Sequence, residues 1–185
     1  MAGMTSDTPG DHGEQGATDA LRVRRRPRWV GWLAWLAGLA AFGVAAVYVA
    51  TSPEELPTSD EVVTATTPAD RPVYLGVFQA DASFGRSLTV SGVKVFAEST
   101  VPVTITPHLC RGGSLGVTSE PEPFCAELVP TEGATLTAGD EVVLEVRGAQ
   151  PGTVRIERVR IAYRDRLQWA TQFAGSPAVV SILSR

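Results

Sequence analysis

A charge-free run near the start of the chain constrains its fold more than any other feature. From Trp29 to Ala50, 22 residues contain no acidic, basic or amide side chain. As an α-helix with a rise of about 1.5 Å per residue, the run spans roughly 33 Å, enough for a hydrocarbon core of about 30 Å. A helix on a small soluble domain needs a polar face, and this run has none. The sequence therefore predicts a transmembrane helix over residues 29–50.

The charges on either side of this run predict its orientation. The N-terminal flank is basic, the C-terminal flank begins with Glu54 and Glu55, and basic flanks stay in the cytoplasm. We therefore expect a single-pass protein of the cell membrane, with its N-terminus cytoplasmic and its C-terminal domain extracytoplasmic. A cleaved secretion signal fits less well, because its apolar region is about 7–15 residues long and because Pro53 follows the best cleavage site. The basic residues of the flank are Arg22, Arg24, Arg25, Arg26 and Arg28.

The segments on both sides of the predicted helix are polar. Residues 1–28 hold almost no apolar side chains before Leu21 and cannot bury enough surface to offset the entropy of ordering, so we expect a disordered cytoplasmic tail. Residues 51–72 contain four prolines among threonines and acidic residues, a composition typical of a semi-extended linker. We interpret this second segment as a stalk that carries residues 73–185.

Residues 73–185 alternate apolar and polar side chains with a period of two. In one segment Val142, Leu144 and Val146 fall on one face, which is the pattern of a half-buried strand. Several such segments are rich in β-branched residues and are bounded by Gly, Pro, Asp or Ser. About seven short strands without an amphipathic helix predict an all-β fold, an antiparallel β-sandwich of the immunoglobulin or fibronectin type. The predicted strands are residues 73–79, 88–96, 101–106, 124–129, 141–146, 153–163 and 178–183.

Two of these predicted strands break step along their length. Ser91-Gly92 separates two apolar pairs that are one residue out of phase, and Glu157-Arg158 does the same in the strand over residues 153–163. A shift of one residue turns every later side chain to the other face of the sheet. We therefore predict a β-bulge at each break, which restores the inward set.

The chain has two cysteines, Cys110 and Cys125, and both follow the predicted helix. A pair of cysteines in an oxidising compartment is typical of a disulfide, whereas disulfides are rare in the cytoplasm. We predict a Cys110–Cys125 disulfide that closes a local loop and, in the chain-entropy description, contributes about 3 kcal/mol.

The net charge limits the partners that this chain can bind. It is −4 for the whole sequence, and the residues after the predicted helix carry 11 basic and 16 acidic side chains. A domain that binds nucleic acid needs a basic surface, so we expect no nucleic-acid partner. The expected partners are the lipid bilayer and either an envelope protein or an anionic envelope polymer.

Motifs of catalysis and metal binding are present only in fragments. Gly112–Gly116 matches G-x-S-x-G, but the serine of that motif opens a helix and needs a later histidine, and the sequence after Ser114 meets neither condition. His108 is the only histidine after the predicted helix, which is too few for a zinc or copper site beside two oxidised cysteines. We therefore expect no enzyme, no cofactor and no bound metal.

Two neighbouring features are candidates for a binding surface. The first is a stripe of arginines near the end of the strand predicted over residues 153–163, which suits an anionic ligand; the alternative is an ordinary solvated strand face. The second is segment 164–177, interpreted as a long recognition loop; the alternative is that Trp169 folds back and caps the sandwich. The residues of this candidate surface are Arg158, Arg160, Arg164, Arg166, Tyr163 and Trp169.

Together these observations predict a membrane-anchored, extracytoplasmic β-sandwich that acts as a non-catalytic binding or accessory module in the cell envelope. One alternative is a structural or sensory anchor that signals through pairing of its helix, because Ala37, Ala41 and Ala45 form a face of small residues. A hydrolase that uses Ser114 is a weaker alternative, since no acid, base and nucleophile converge in the sequence.

Overall fold

The computed structural model describes the backbone of residues 28–51 and 53–184, and the side chains of residues 32–48 and 53–184. The chain divides into two compact units, residues 1–44 and 45–185. The predicted disordered tail, residues 1–28, lies outside the described residues except for the backbone of Arg28.

The first element is an α-helix, α1, which runs from Arg28 to Thr51. It coincides with the charge-free run, and Arg28 is its only charged residue. The side chains described in it, those of residues 32–48, are all exposed. Within the described part of the chain, no helix is both long enough and apolar enough to cross a membrane.

The rest of the described chain is mostly β-structure, so the all-β prediction is confirmed. It contains thirteen strands, several of them only two or three residues long, and the predicted strands over residues 73–79 and 178–183 match to the residue. The strands are β1 (Val63–Pro68), β2 (Val73–Gln79), β3 (Leu88–Lys94), β4 (Ala97–Ser99), β5 (Val103–Arg111), β6 (Val117–Thr118), β7 (Glu127–Pro130), β8 (Thr135–Leu136), β9 (Glu141–Gly148), β10 (Gly152–Ile156), β11 (Val159–Asp165), β12 (Gln168–Ala174) and β13 (Ala178–Leu183).

These strands form three sheets. Sheet I has the order β6-β2-β9-β5-β7, sheet II the order β1-β13-β10-β4, and sheet III the order β12-β11-β3-β8. The chain passes between sheets II and III three times, because β3 leads into β4, β10 into β11 and β12 into β13. Sheets II and III are therefore two halves of one bent layer that keeps the same order of strands.

The core lies between sheet I and this bent layer. Apolar side chains from every sheet meet there in one cluster, for example Leu144 of sheet I, Val154 of sheet II and Ile161 of sheet III, all of them fully buried. Burial of an apolar side chain of this size contributes about 1.5–3 kcal/mol. The alternation along each strand thus decides which face is inside, and the opposite faces are left for polar side chains and function.

The two predicted β-bulges have different outcomes. In β3 the register against β11 shifts between Val90 and Gly92, so Ser91 is the extra residue and this prediction is confirmed. The prediction at Glu157-Arg158 is wrong, because the chain there leaves β10 in sheet II and begins β11 in sheet III. The break in alternation marks this bend, since a strand that changes sheets has to turn its apolar face toward a core that lies in a new direction.

The prediction that residues 51–72 form a free stalk is wrong from Leu56 onward. Leu56 is buried in the core, and β1 pairs in parallel with β13, which also corrects the prediction of a wholly antiparallel fold. The amide of Gly175 donates a hydrogen bond to the carbonyl of Pro57, just before β1. The segment covers the edge of the bent layer, where the backbone groups of β13 would otherwise lack partners.

Candidate binding face

The candidate face is the outer surface of sheet III, where β11 and β12 form a hairpin. Segment 164–177, interpreted from the sequence as a loop, is mostly strand β12, so that interpretation is wrong. The alternation of β12 is visible in its burial, since positions 169, 171 and 173 are exposed while positions 170, 172 and 174 are turned toward the core. The hairpin brings the predicted arginine stripe and the predicted aromatic segment side by side.

Each arginine on the outer surface of β11 lies over an aromatic ring of β12. Arg160 is opposite Phe173, and its guanidinium carbon is 4.6 Å from the centre of the ring. Arg164 is opposite Trp169, at 5.6 Å. A cation within about 6 Å of an aromatic ring centre is attracted by the ring. These contacts hold long, flexible side chains in place before a ligand arrives, which lowers the entropic cost of binding.

A third cation extends the face onto β3. Lys94 is in register with Arg160, and its ammonium nitrogen is 4.8 Å from the centre of the Phe96 ring. One row across the sheet therefore holds Phe173, Arg160 and Lys94. Adjacent strands are about 4.8 Å apart, so two like charges stand close together, and an anionic ligand would relieve their repulsion.

The outward positions of sheet III, all of them described, carry no acidic side chain. Arg160, Arg164 and Lys94 form no ion pair with any described residue. The acids nearest to the two arginines along the chain, Glu157 and Asp165, lie at the ends of β11 and not on its outer face. The acid nearest to Lys94 along the chain, Glu98, lies in β4 of sheet II. The face is therefore positive and partly aromatic. Its outward positions are Thr89, Ser91, Gly92, Lys94, Thr135, Arg160, Ala162, Arg164, Trp169, Thr171 and Phe173.

Two arginines of the predicted stripe lie outside this face. Arg158, between β10 and β11, donates a hydrogen bond from Nε to the carbonyl of Ser59 at 3.1 Å and forms an ion pair with Asp60. It joins the segment before β1 to the bend, which is a structural role. Arg166 lies in the turn of the hairpin, is exposed and has a φ of 55°.

The prediction that Tyr163 belongs to the binding surface is wrong. Tyr163 is fully buried on the inward face of β11. Its hydroxyl donates to Oε1 of Gln172 at 3.1 Å, and the same oxygen accepts the amide of Leu56 at 3.0 Å. Burial raises the pKa of Tyr163, and the nearby Arg86 opposes that rise. Tyr163 therefore joins the hairpin to the N-terminal segment of the domain.

Trp169 remains on the surface, where it is 67% exposed, so it does not cap the sandwich. Sequence reasoning placed Phe173 with Tyr163 and Trp169 around the interpreted loop but not among the residues of the candidate surface, and it left out Lys94 and Phe96 altogether. The signal that was missed is the alternation of Phe173 with Thr171 and Trp169, which is that of a strand. The place of Lys94 beside Arg160 depends on the register between β3 and β11, for which the sequence carries no local signal.

The disulfide loop lies against sheet I, away from the hairpin. Cys110 and Cys125 form the predicted disulfide, with their sulfur atoms 2.06 Å apart. Both pack with Leu115 and Val143 in a small apolar cluster of their own. Residues 112–116 inside the loop form no helix, so the G-x-S-x-G sequence lacks the strand-to-helix turn in which that motif presents its serine.

Two acids at the start of β9 hold this loop in place. Asp140 accepts the amide of Gly112 at 3.0 Å, and Glu141 accepts the amide of Leu115 at 2.6 Å. Glu141 is buried without an ion pair to any described residue, and sequence reasoning missed it because an acid that opens a strand is normally solvated. Burial raises its pKa to about 7, although hydrogen bonds from Leu115 and Ser114 lower it.

The outer surface of sheet I carries a separate polar cluster. Nε2 of His108 is 3.2 Å from Oε2 of Glu145, and Arg147 approaches the same carboxylate at 3.5 Å. Among the described residues, no group of three or more His, Cys, Asp or Glu side chains is placed to hold a metal ion.

No protein-family description, curated protein or solved structure matches this chain. The face on sheet III is therefore interpreted from its own chemistry. Its cations can pair with carboxylates or phosphates, and its exposed rings can stack on flat apolar surfaces.

Proposed function

We propose that this protein is a membrane-anchored, extracytoplasmic, non-catalytic binding module whose sheet III face takes an anionic polymer of the cell envelope. The observation that carries the proposal is the acid-free set of cations, Arg160, Arg164 and Lys94, each held beside an aromatic ring; the rings beside the two arginines are exposed. Guanidinium groups form paired hydrogen bonds with carboxylates and phosphates, and aromatic rings stack on the apolar faces of sugars.

The shape of the face favours a polymer over a small molecule. Arg160 and Arg164 are four residues apart on one strand, which separates them by about 13 Å. A flat surface with cations at this spacing suits anionic groups repeated along a chain, whereas a small ligand is normally enclosed in a concave pocket. The excess of acids elsewhere in the chain disfavours nucleic acid, whose binding needs a broadly basic surface.

We also propose an immunoglobulin-like topology for the domain. Sheet I carries β2-β9-β5, and the bent layer carries β12/β13, β10/β11 and β3/β4 in that order. When the strands are lettered B to G in chain order, sheet I has the order B-E-D and the bent layer has the order G-F-C. Constant-type immunoglobulin domains have these same orders. The disulfide that joins the two sheets of antibody domains has no counterpart here, since Cys110–Cys125 closes a loop beside sheet I.

The sequence supports the membrane anchor and its orientation, through the charge-free run and the arginines that precede it. The disulfide supports an oxidising location for the β-domain. Protease added to intact cells is expected to digest the β-domain while the helix stays in the membrane fraction. A β-domain that is protected until the cells are lysed would contradict the proposed orientation.

The ligand class is tested by binding of the full chain, held in lipid nanodiscs, to immobilised polyuronate and polyglycerol phosphate, with an uncharged polysaccharide as the reference. The double substitution Arg160→Gln and Arg164→Gln is expected to weaken binding to an anionic polymer by about 2 kcal/mol, roughly a thirtyfold rise in Kd, because it removes two charge-assisted contacts. Binding should also weaken as salt is added.

The matched control is the double substitution Arg147→Gln and Arg155→Gln. It removes the same charge from exposed strand positions outside sheet III, so it should leave binding unchanged. Equal losses in the two double variants would mean that net charge alone drives binding and would contradict a specific face. A preference for single-stranded DNA over both polymers would also contradict the proposal.

A further inference from the structure

The turn of the β11–β12 hairpin exposes an apolar side chain that the described domain does not cover. Leu167 is 94% exposed, more than any other large apolar residue described. Arg166 precedes it, and the exposed Trp169 follows it at the start of β12. Leucine, tryptophan and arginine together suit a lipid surface, where leucine enters the acyl boundary, tryptophan lies at headgroup level and arginine binds phosphate.

The N-terminal segment of the domain lies at the same end as this turn. The guanidinium of Arg86 donates hydrogen bonds to the carbonyls of Glu54 at 2.8 Å and Glu55 at 3.3 Å. Arg86 also lines one cleft with Arg166 and Leu167. The chain therefore enters the β-domain close to the turn of the hairpin.

Only a short stretch of chain separates this entry point from the predicted membrane span. Glu54 is four residues beyond Ala50, which an extended chain covers in at most about 14 Å. With the span in the bilayer, the end of the domain that carries Leu167 is held close to the lipid headgroups.

We propose that the turn of the hairpin, residues 165–169, rests on the outer lipid surface, with Leu167 in the acyl boundary and Arg166 on headgroup phosphates. This inference rests on the membrane anchor proposed above, but not on the polymer ligand. Asp165, Glu54 and Glu55 at the same end oppose anionic lipid, so Leu167 and Trp169 provide the main attraction. Arg160, Arg164 and Lys94 lie outside residues 165–169 and remain free for the polymer. With Trp169 on the lipid, Phe173 is the exposed ring of the face that is left for the polymer.

The test measures lipid contact at two positions of the full chain. Leu167→Cys and Gln150→Cys each introduce one free thiol for a small apolar fluorophore, since both native cysteines are disulfide-bonded. At position 167 the apolar label takes the place of the leucine side chain. Gln150 is the matched control, because it is exposed in the turn before β10. The first residue of β10 pairs with Ile182 near the end of β13, so this turn lies far along the bent layer from the turn of the hairpin. Each labelled chain is placed in nanodiscs that contain brominated anionic lipid, which quenches the fluorophore on contact.

We expect a loss of emission at position 167 and no loss at position 150. Arg166→Asn removes the charge but keeps a residue that tolerates positive φ. Because one arginine near an anionic surface contributes about 1 kcal/mol, this substitution should lower the ratio of chains whose turn contacts lipid to chains whose turn does not by about fivefold. A chain that does not enter the nanodiscs would overturn the anchor together with this inference. A chain that enters them but gives equal emission at positions 167 and 150 would overturn the lipid contact alone.

Discussion

Replacing Gly175 by alanine is expected to lower the free energy of unfolding of the β-domain by about 2–5 kcal/mol, a large part of the stability of a domain of this size. Gly175 lies between β12 and β13 with a φ of 70°, where a residue with a Cβ is disfavoured by about 1–2 kcal/mol. The added methyl group would also overlap the carbonyl oxygen of Val77 in β2. The turn cannot easily move away, because Gly175 is hydrogen-bonded to Pro57 and Ser59 on its other side.

Gly92→Ala is the matched control for this substitution. A Cβ at Gly92 would meet nothing within 4 Å, and its backbone is not in the left-handed region, so we expect a change of less than about 1 kcal/mol. Urea denaturation of both variants, followed by circular dichroism, measures the difference. A Gly175→Ala domain as stable as the unchanged one would mean that β2 yields to the methyl group, contrary to the overlap expected between this group and the carbonyl oxygen of Val77.

The stability of the β-domain is expected to fall as the pH rises from 4.5 to about 7. Burial holds the pKa of Glu141 at about 7 instead of its ordinary 4.5, so in this range the folded state keeps a proton that the unfolded chain releases. Stability then falls by up to about 1.4 kcal/mol per pH unit, which amounts to about 3 kcal/mol above pH 7. Below pH 4.5 the carboxyl is protonated in both states, and the penalty is absent.

Glu141→Gln should remove this slope and stabilise the domain above pH 7 by about 2–3 kcal/mol, because a neutral amide is buried at lower cost and its oxygen still accepts the Leu115 amide. Glu145→Gln is the control: it removes a carboxylate from the same strand but leaves Glu141 in place, so the slope should persist. Urea titrations across this pH range measure both. If Glu141→Gln were less stable than the unchanged protein above pH 7, this result would contradict the raised pKa of a buried Glu141 carboxyl.

Most strands could be predicted because their evidence is local. Side chains alternate across a strand, so the apolar spacing of Val142, Leu144 and Val146 indicated both the strand and its buried face, and all three are fully buried. The disulfide could be predicted for a similar reason, since two cysteines after an apparent membrane span have few other roles.

The strands β1 and β12 were missed because their alternation uses small and polar residues. β1 reads VTATTP, with threonine on both faces. β12 reads QWATQFA, in which glutamine and alanine take the inward positions while Trp169 and Phe173 point outward. Their strand conformation depends on partners, since β1 pairs with β13 and β12 pairs with β11. These two segments have the composition of a linker or a loop, and they form strands because the edge of a neighbouring strand offers them backbone hydrogen bonds.

By itself the sequence determined the charge-free helix, the positions of most strands, their inward faces and the disulfide, because each of these depends on residues that are close along the chain or on simple chemistry. The tertiary structure alone decided that Arg160 lies between Phe173 and Lys94, that Arg158 is taken up by Asp60, and that Glu141 is buried. The physical reason is that neighbours across a sheet are chosen by register, and register is set by how all the apolar faces pack into one core.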